Sequence, residues 1–150
     1  MSEQRFKLIP FVALLLRKGN ELLLIRRSNT GYDDGMYCCA GGGVDGNEPI
    51  TQAIMREAKE ELGITLKQEN LKVVHAVHYN SPHGEYIAFL VKATEWDGEP
   101  QIMEPHKCDD IRWFPIDALP ENMVPVERQV LEDIEKDIFY SEHGWERLAG

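Results

Sequence analysis

Apolar and polar positions alternate along the chain in short blocks that predict several strands. Residues 6–16 form a mainly apolar run that predicts a strand, and Glu21–Arg27 predicts its return strand. The intervening Lys18-Gly19-Asn20 is typical of a turn, so the chain is expected to open with a β-hairpin. Further strands are expected at 36–40, 71–79, 85–93 and 110–114, with loops that include 28–35 and 98–105.

Two later segments have the apolar spacing of helices. The first is expected to begin near Glu48, with Pro49 in its first turn and Gly63 just past its end. The second is expected at Pro125–Tyr140, where apolar residues recur every four positions, at Val126, Val130, Ile134 and Ile138. Mixed strands and helices in 150 residues predict an α/β fold, with one domain that occupies residues 1–150.

Composition narrows the class of protein. Hydrophobic residues make up 43% of the chain and charged residues 28%, which is typical of a globular domain. The formal net charge of -10 disfavours binding to a nucleic acid polymer, because phosphate backbones are bound by basic surfaces. It leaves room for a small phosphorylated substrate, since a bound divalent metal inverts the local field.

Neither a membrane span nor a disulfide framework is expected. The chain has no run of 18 apolar residues, and Leu8–Leu16 is better explained as a core strand than as a signal peptide. The three cysteines, Cys38, Cys39 and Cys108, lack the paired spacing of a disulfide framework or a zinc site. The expected state is reduced thiols in a cytoplasmic protein.

The first predicted helix carries the candidate chemistry. At about 100° per residue, Ile54, Ala58 and Leu62 define an apolar stripe, and three acids border it: Glu57, Glu60 and Glu61. Carboxylates about 6 Å apart repel by roughly 3 kcal/mol per pair at an effective dielectric of about 20. A divalent cation such as magnesium relieves this repulsion. The alternative is a solvated surface helix on which Arg56 pairs with Glu60.

A spaced pattern surrounds this helix. Gly42 is followed after five residues by Glu48, and seven residues later come Arg56-Glu57, Glu60-Glu61 and Gly63. Residues 42–64 resemble the Nudix box of the MutT-like Nudix hydrolases. Two positions differ from the usual box: Ala58 is smaller than the aliphatic residue common there, and Ala40 stands where a proline is frequent.

The resemblance implies the Nudix fold, a mixed β-sheet sandwiched between helices. It also implies Mg²⁺, or Mn²⁺, held by Glu57 and Glu61, then Glu60, and by the carbonyl of Gly42. Arg56 would hold Glu48 and Glu60 in position, and Gly63 would end the helix. The implied reaction is hydrolysis of a diphosphate linkage, in which water attacks phosphorus.

Several residues outside or at the edge of the box are candidates for the remaining roles. The general base is expected to be Glu60 or Glu104. Glu104 is a candidate because several members of the family use a glutamate from a comparable distant loop as the base or as an extra metal ligand. Arg26 and Arg27 are candidates for phosphate binding, and at most one of them should face the site because consecutive strand residues point in opposite directions. Trp113 is expected to be a core residue, and His75, His78, His83 and His106 are expected to be structural or surface residues.

The expected substrate is a small nucleotide. The stretch 113–125 is similar to that of oxidised-purine triphosphatases, but Val124 replaces their tryptophan and a single acid, Glu127, remains to contact a base. A broader nucleoside triphosphate pyrophosphohydrolase is therefore favoured. The alternatives are an ADP-ribose-type nucleoside diphosphate sugar pyrophosphatase and a non-catalytic nucleotide-sensing module. A homodimer is a further expectation from the resemblance.

Overall fold

A computed structural model describes residues 4–146. The helices are α1 (Ile50–Leu62) and α2 (Pro125–Glu135). The strands are β1 (Ile9–Lys18), β2 (Glu21–Arg27), β3 (Tyr37–Cys38), β4 (Gly41–Gly43), β5 (Thr65–Leu66), β6 (Leu71–Ser81), β7 (Gly84–Ala93), β8 (Trp96–Asp97), β9 (Cys108–Pro115) and β10 (Tyr140–His143). No helix in this part of the chain is long and apolar enough to cross a membrane.

Strand β1 is the centre of a mixed sheet with the order β10-β6-β7-β1-β2-β3, in which β9 also pairs with β2. One edge of β1 runs parallel to β7 from Ile9 to Leu16. The other edge pairs antiparallel with β4 over its first half and with β2 at its end, where Arg17 lies opposite Leu22. The predicted opening hairpin is therefore confirmed.

The side chains of β1 separate two hydrophobic layers, because successive strand residues face opposite sides of a sheet. Val12, Leu14 and Leu16 pack with Ile54 and Leu62 of α1. On the other face, Leu15 packs with Leu131 of α2. The α/β architecture of a mixed sheet between helices is as predicted. The predicted domain of residues 1–150 also takes in 1–3 and 147–150, which lie outside the described residues.

Helix α1 ends where the sequence predicted, but it begins at Ile50 rather than near Glu48, so Pro49 lies before its first turn and not within it. Pro49 precedes it in an extended conformation, and Gly63 ends it in the left-handed region at φ 70° with its N–H donated to Lys59 O. A glycine suits this position because a Cβ disfavours positive φ. The helix thus has fixed ends on either side of its acidic residues.

The predicted second helix is too long. It was expected at Pro125–Tyr140, but α2 ends at Glu135 and Ile138 is 41% exposed. Asp137 takes a left-handed φ of 59°, which stops the helix and turns the chain into β10. The apolar residues keep their helical spacing beyond Glu135, although the backbone is no longer helical there.

Three strand boundaries also differ from the predictions. The first strand spans Ile9–Lys18 rather than 6–16, and the expected strand 36–40 contracts to Tyr37–Cys38. No strand was predicted at Gly41–Gly43, but this segment pairs with β1 as a strand. Pairing with a distant strand decides these boundaries, and local propensity does not report it.

Candidate active site

The glycine strand β4 lies directly against the acidic edge of α1. Pairing with β1 sets Gly42 opposite Val12. A Cβ placed on Gly42 would come within 2.5–2.9 Å of the carboxylate atoms of Glu57. The absence of a side chain at Gly42 therefore makes room for the Glu57 carboxylate beside the backbone of β4.

Arg56 organises the acids around it. It donates to Glu48 through Nε and Nη2, to Glu57 through Nη1 at 2.9 Å, and to Glu60 through Nη1 at 3.3 Å. A further bond from Nη2 reaches the carbonyl of Gly43 at 3.0 Å. Each nitrogen of the guanidinium thus donates to a protein oxygen, and the acceptors include Glu48 and Glu60, the two residues that the box resemblance named as its partners.

The two inner carboxyl groups are in an environment that disfavours their charge. Burial, with a further contribution from Glu57 and Glu104, raises the pKa of Glu61 to about 8, although the N–H of Gly41 donates to its Oε2 at 3.0 Å. Burial also raises the pKa of Glu57, which the Arg56 guanidinium partly offsets. Desolvation and mutual repulsion both favour a bound cation here.

The donor set fits a hard divalent metal. Within residues 4–146, no three acidic, histidine or cysteine side chains converge as a complete cage. Magnesium characteristically uses one or two carboxylates and completes its shell with water and substrate phosphates. Glu57, Glu61 and the carbonyl of Gly42 are suitable donors, and Glu60 lines the same cavity at its exposed edge.

Glu104 joins this cluster from a distant loop. The loop is tied to the end of α1, since the N–H of Gln101 donates to Leu62 O at 3.0 Å and that of Met103 to Glu61 O at 3.3 Å. A cavity of about 280 Å³ is lined by Glu104 together with the acids of α1, Gly41 and Gly42. The structure therefore brings together all the residues proposed for metal binding and for the general base.

The two candidate arginines separate as strand alternation requires. Arg27 lines the acidic cavity, and its guanidinium lies 4.3 Å from the centre of the Tyr32 ring. Arg26 donates instead to Asp109 through Nε at 2.7 Å and lines neither this cavity nor the adjoining one. Of the two candidates, Arg27 is therefore the arginine that lies at the acidic cavity.

A larger cavity of about 460 Å³ adjoins the acidic one, and the sequence interpretation did not identify it. Its floor includes Tyr79 and Tyr86, whose rings stack at 4.9 Å, and Phe11, which packs edge-on against Tyr86 at 5.9 Å. The alternation of apolar and aromatic residues along β6 and β7 is the one trace of this cavity in the sequence, and it does not locate the cavity by itself. Their register with β1, which brings them to one face, is not evident from the sequence.

Glu127 lies in the wall of this larger cavity. Its Oε1 accepts the N–H of Cys39 at 2.7 Å, and burial raises its pKa to about 7. Trp113 packs against the core and stacks with Trp96. His75 is completely buried, which agrees with its predicted structural role.

Comparisons with known proteins agree with this geometry. The NUDIX domain family model matches residues 7–134. The chain is 33% identical over 120 residues to the NAD-capped RNA hydrolase NudC of Chromobacterium violaceum, a match that covers 80% of this chain and 43% of that protein. The chain thus spans less than half the length of the curated relatives it matches.

Solved structures share the fold. The MutT NUDIX hydrolase from Burkholderia pseudomallei superposes with a TM-score of 0.78 at 28% identity, over 85% of this chain and 98% of that one. The MutT protein from Methanosarcina mazei Go1 gives 0.77 at 21% identity, over 90% and 98%. Since the NUDIX domain model covers most of the chain and the box residues lie together at one site, this chain belongs to the NUDIX domain family.

Proposed function

We propose that this enzyme hydrolyses a nucleoside triphosphate to a nucleoside monophosphate and pyrophosphate. One observation carries the proposal: the acidic cavity and the aromatic cavity share a wall made of Phe11, Arg27 and Tyr32. Phosphates bound among the metal donors would therefore be continuous with a base bound among aromatic rings, which stack well on nucleobases.

Each protein group has a defined part in the reaction. Glu57, Glu61 and the Gly42 carbonyl would hold Mg²⁺ or Mn²⁺. Bound there, the metal would lower the pKa of the attacking water and neutralise charge on the phosphates. Arg27 would bind a phosphate through paired donors. The oxygen of water would attack the α- or the β-phosphorus and the P–O bond bridging the two would break, so that pyrophosphate leaves in the first case and the monophosphate in the second.

Glu104 is the better candidate for accepting the proton of the attacking water. The Glu60 carboxylate already accepts a hydrogen bond from Arg56 Nη1, at 3.3 Å, in an ion pair that holds it against the guanidinium. Glu104 has no such partner among the described residues, yet lines the same cavity. We therefore assign the general base to Glu104 and propose that Glu60 contributes to metal binding.

The size of the aromatic cavity favours a second candidate. At about 460 Å³ it falls within the range of sites that enclose a ligand larger than a base alone. A nucleoside diphosphate joined to a second group, of the ADP-ribose or NAD type, would use this volume.

The three buried, unpaired thiols suit a reducing compartment, and we propose that the enzyme acts in the cytoplasm.

One experiment tests the function and ranks the candidates. The protein is incubated with nucleoside triphosphates, ADP-ribose and NADH in ¹⁸O-enriched water, with Mg²⁺ and then with EDTA, and the products are identified by mass spectrometry. We expect metal-dependent release of a monophosphate and pyrophosphate, with the label showing which phosphorus was attacked. Tight nucleotide binding without turnover of any compound would instead indicate a sensing module.

A further inference from the structure

The last described strand forms one wall of the aromatic cavity. Strand β10 pairs in parallel with β6 so that His143 lies opposite Tyr79, and Tyr79 in turn lies opposite Tyr86. Directly paired residues present their side chains on the same face of a sheet. His143 therefore extends the row of rings that Tyr86 and Tyr79 begin, and both His143 and Glu146 line the cavity.

This wall lies outside the region that the family shares. The NUDIX domain model ends at residue 134, whereas β10 begins at Tyr140. The sheet acquires its outer strand from this extension. A feature of the substrate cavity is thus supplied by a part of the chain that the common domain does not define.

Buried polar contacts fix β10 in place. His75, which has no exposed surface, bonds through Nδ1 to the carbonyl of Ile138 and through Nε2 to Oγ of Ser141, both at 2.8 Å. The indole Nε1 of Trp145 donates to the carbonyl of His78 at 3.0 Å. The strand is anchored at both ends, as a surface that must hold a ligand requires.

The ring of His143 is oriented by Gln129 on α2. The Nε2 amide of Gln129 donates to the carbonyl of Glu142 at 3.3 Å, so its Oε1 is left to face Nδ1 of His143 at 2.5 Å. An oxygen there requires Nδ1 to carry the proton. Nε2 and the face of the ring are then left to contact a ligand.

We propose that β10 is a substrate-specificity element and that His143 contacts the nucleoside portion of the substrate. This inference rests on the proposed function in that the cavity must receive a nucleoside. Three strand spacings separate β10 from β1, a distance of roughly 14 Å. His143 therefore acts on binding and on choice of nucleotide, while the acids at the other side of β1 carry out the chemical step.

The test compares His143→Ala with Glu142→Ala, whose side chain lies on the opposite face of β10. We expect His143→Ala to raise KM for the preferred nucleotide about tenfold, as loss of one stacking or hydrogen-bonding contact does, with kcat within about twofold. Glu142→Ala should change neither. A kcat that falls while KM stays constant, or unchanged values of both, would overturn the inference.

A binding measurement keeps this test separate from that of the proposed function. AMP, GMP, CMP and UMP are titrated calorimetrically into the wild type and His143→Ala, without any need for turnover. We expect the wild type to rank the four nucleotides and His143→Ala to lose affinity and compress the ranking. Glu146→Gln, an exposed change on the same wall, serves if His143→Ala does not fold. Measurable but identical affinities for wild type and variant would refute the role of β10 alone, whereas no binding of any nucleotide to the wild type would overturn the proposed function and this role together.

Discussion

Arg56 and Glu48 are joined by two parallel hydrogen bonds, from Nε to Oε2 at 2.7 Å and from Nη2 to Oε1 at 3.0 Å. The same Glu48 Oε1 accepts the N–H of Asp45 at 2.9 Å, so the pair ties the loop before α1 to the helix. These bonds lower the pKa of Glu48 to about 2, which keeps it charged across the working range. We therefore propose that Arg56 positions the acids rather than contacting substrate.

Replacing Arg56 by lysine should remove this positioning while preserving the charge. A lysine ammonium cannot make the paired contact with Glu48 and also reach Glu57 and the Gly43 carbonyl. We expect Arg56→Lys to reduce kcat about 10- to 100-fold, the usual effect of losing a group that orients metal ligands. Arg112→Lys is the matched control, since Arg112 is 61% exposed and pairs with Asp110. Equal activities of the two variants would contradict the assignment.

Three consecutive glycines should respond differently to alanine. At Gly42 the new Cβ would displace the Glu57 carboxylate, and a shift of about 1 Å in such a site lowers kcat about 100-fold. At Gly41 the Cβ would collide with the carbonyl oxygen of Val12, so we expect the free energy of unfolding to fall by about 1–3 kcal/mol or more.

Gly43→Ala is the control for both, because its Cβ would meet nothing within 4 Å. Steady-state kinetics and urea unfolding of all three variants separate the two effects. Wild-type activity of Gly42→Ala would contradict the proposed need for a glycine beside Glu57, and so would an impairment of Gly43→Ala as large as that of Gly42→Ala.

The box was readable from the sequence because its geometry is local. Residues 42–64 form one strand, one loop and one helix, so helical spacing alone places Glu57 and Glu61 on one edge. Gly63 marked the helix end for the same reason. Glu104 could be named only as one of two candidates, since its position depends on how residues 98–107 fold back onto α1.

The aromatic cavity and β10 could not be predicted because they depend on long-range pairing. Phe11, Tyr86 and Tyr79 share a face only through the register of β1 with β7 and of β7 with β6, which includes a bulge between Val73 and His75. Residues 136–140 continued the apolar spacing of α2, so the turn at Asp137 was missed. Sheet register is decided by packing rather than by local propensity.

Glu127 should make stability depend on pH. Burial raises its pKa to about 7, so between the ordinary glutamate pKa and pH 7 the folded protein binds a proton that the unfolded chain has lost. The contribution of Glu127 to the free energy of unfolding is therefore full below about pH 4.5, and it is lost as the pH rises to about 7. Glu127→Gln should be more stable than the wild type at pH 8 by on the order of 1–3 kcal/mol.

Urea unfolding at pH 5, 6, 7 and 8 measures this difference. It should shrink steadily as pH falls, because glutamine resembles the protonated acid and keeps the acceptor for the Cys39 N–H. A stability difference that is constant across the four pH values would show that Glu127 is not the titrating group. Glu132→Gln on the exposed side of α2 provides the background pH dependence.

Metal removal should lower the Tm of the wild type but not that of Glu61→Gln. The variant removes a carboxylate whose charge burial disfavours, so in EDTA we expect its Tm to equal or exceed that of the wild type. Added Mg²⁺ or Mn²⁺ should raise the Tm of the wild type by binding the folded state, and leave the variant unchanged. Activity of Glu61→Gln should fall about 100-fold. A metal-dependent Tm shift that persists undiminished in Glu61→Gln would remove Glu61 from the ligand set.

The assignment of the base to Glu104 predicts a contrast between two conservative variants. Glu104→Gln keeps the loop and its size but cannot accept a proton, so kcat should fall about 10²- to 10⁴-fold with little change in KM or in the metal-dependent Tm shift. Glu60→Gln should weaken metal binding, so part of its lost activity should return at high Mn²⁺ concentration. Rescue by metal thus distinguishes a ligand from a base.

The pH–rate profile completes this comparison. A base that must be ionised gives a rate that rises with pH through its pKa, and Glu104→Gln should lose that limb while Glu60→Gln keeps it. If Glu60→Gln loses the limb and manganese does not rescue it, the base is Glu60. In that case Glu104 contributes only negative charge to the cavity, where it raises the pKa of Glu57 and Glu61.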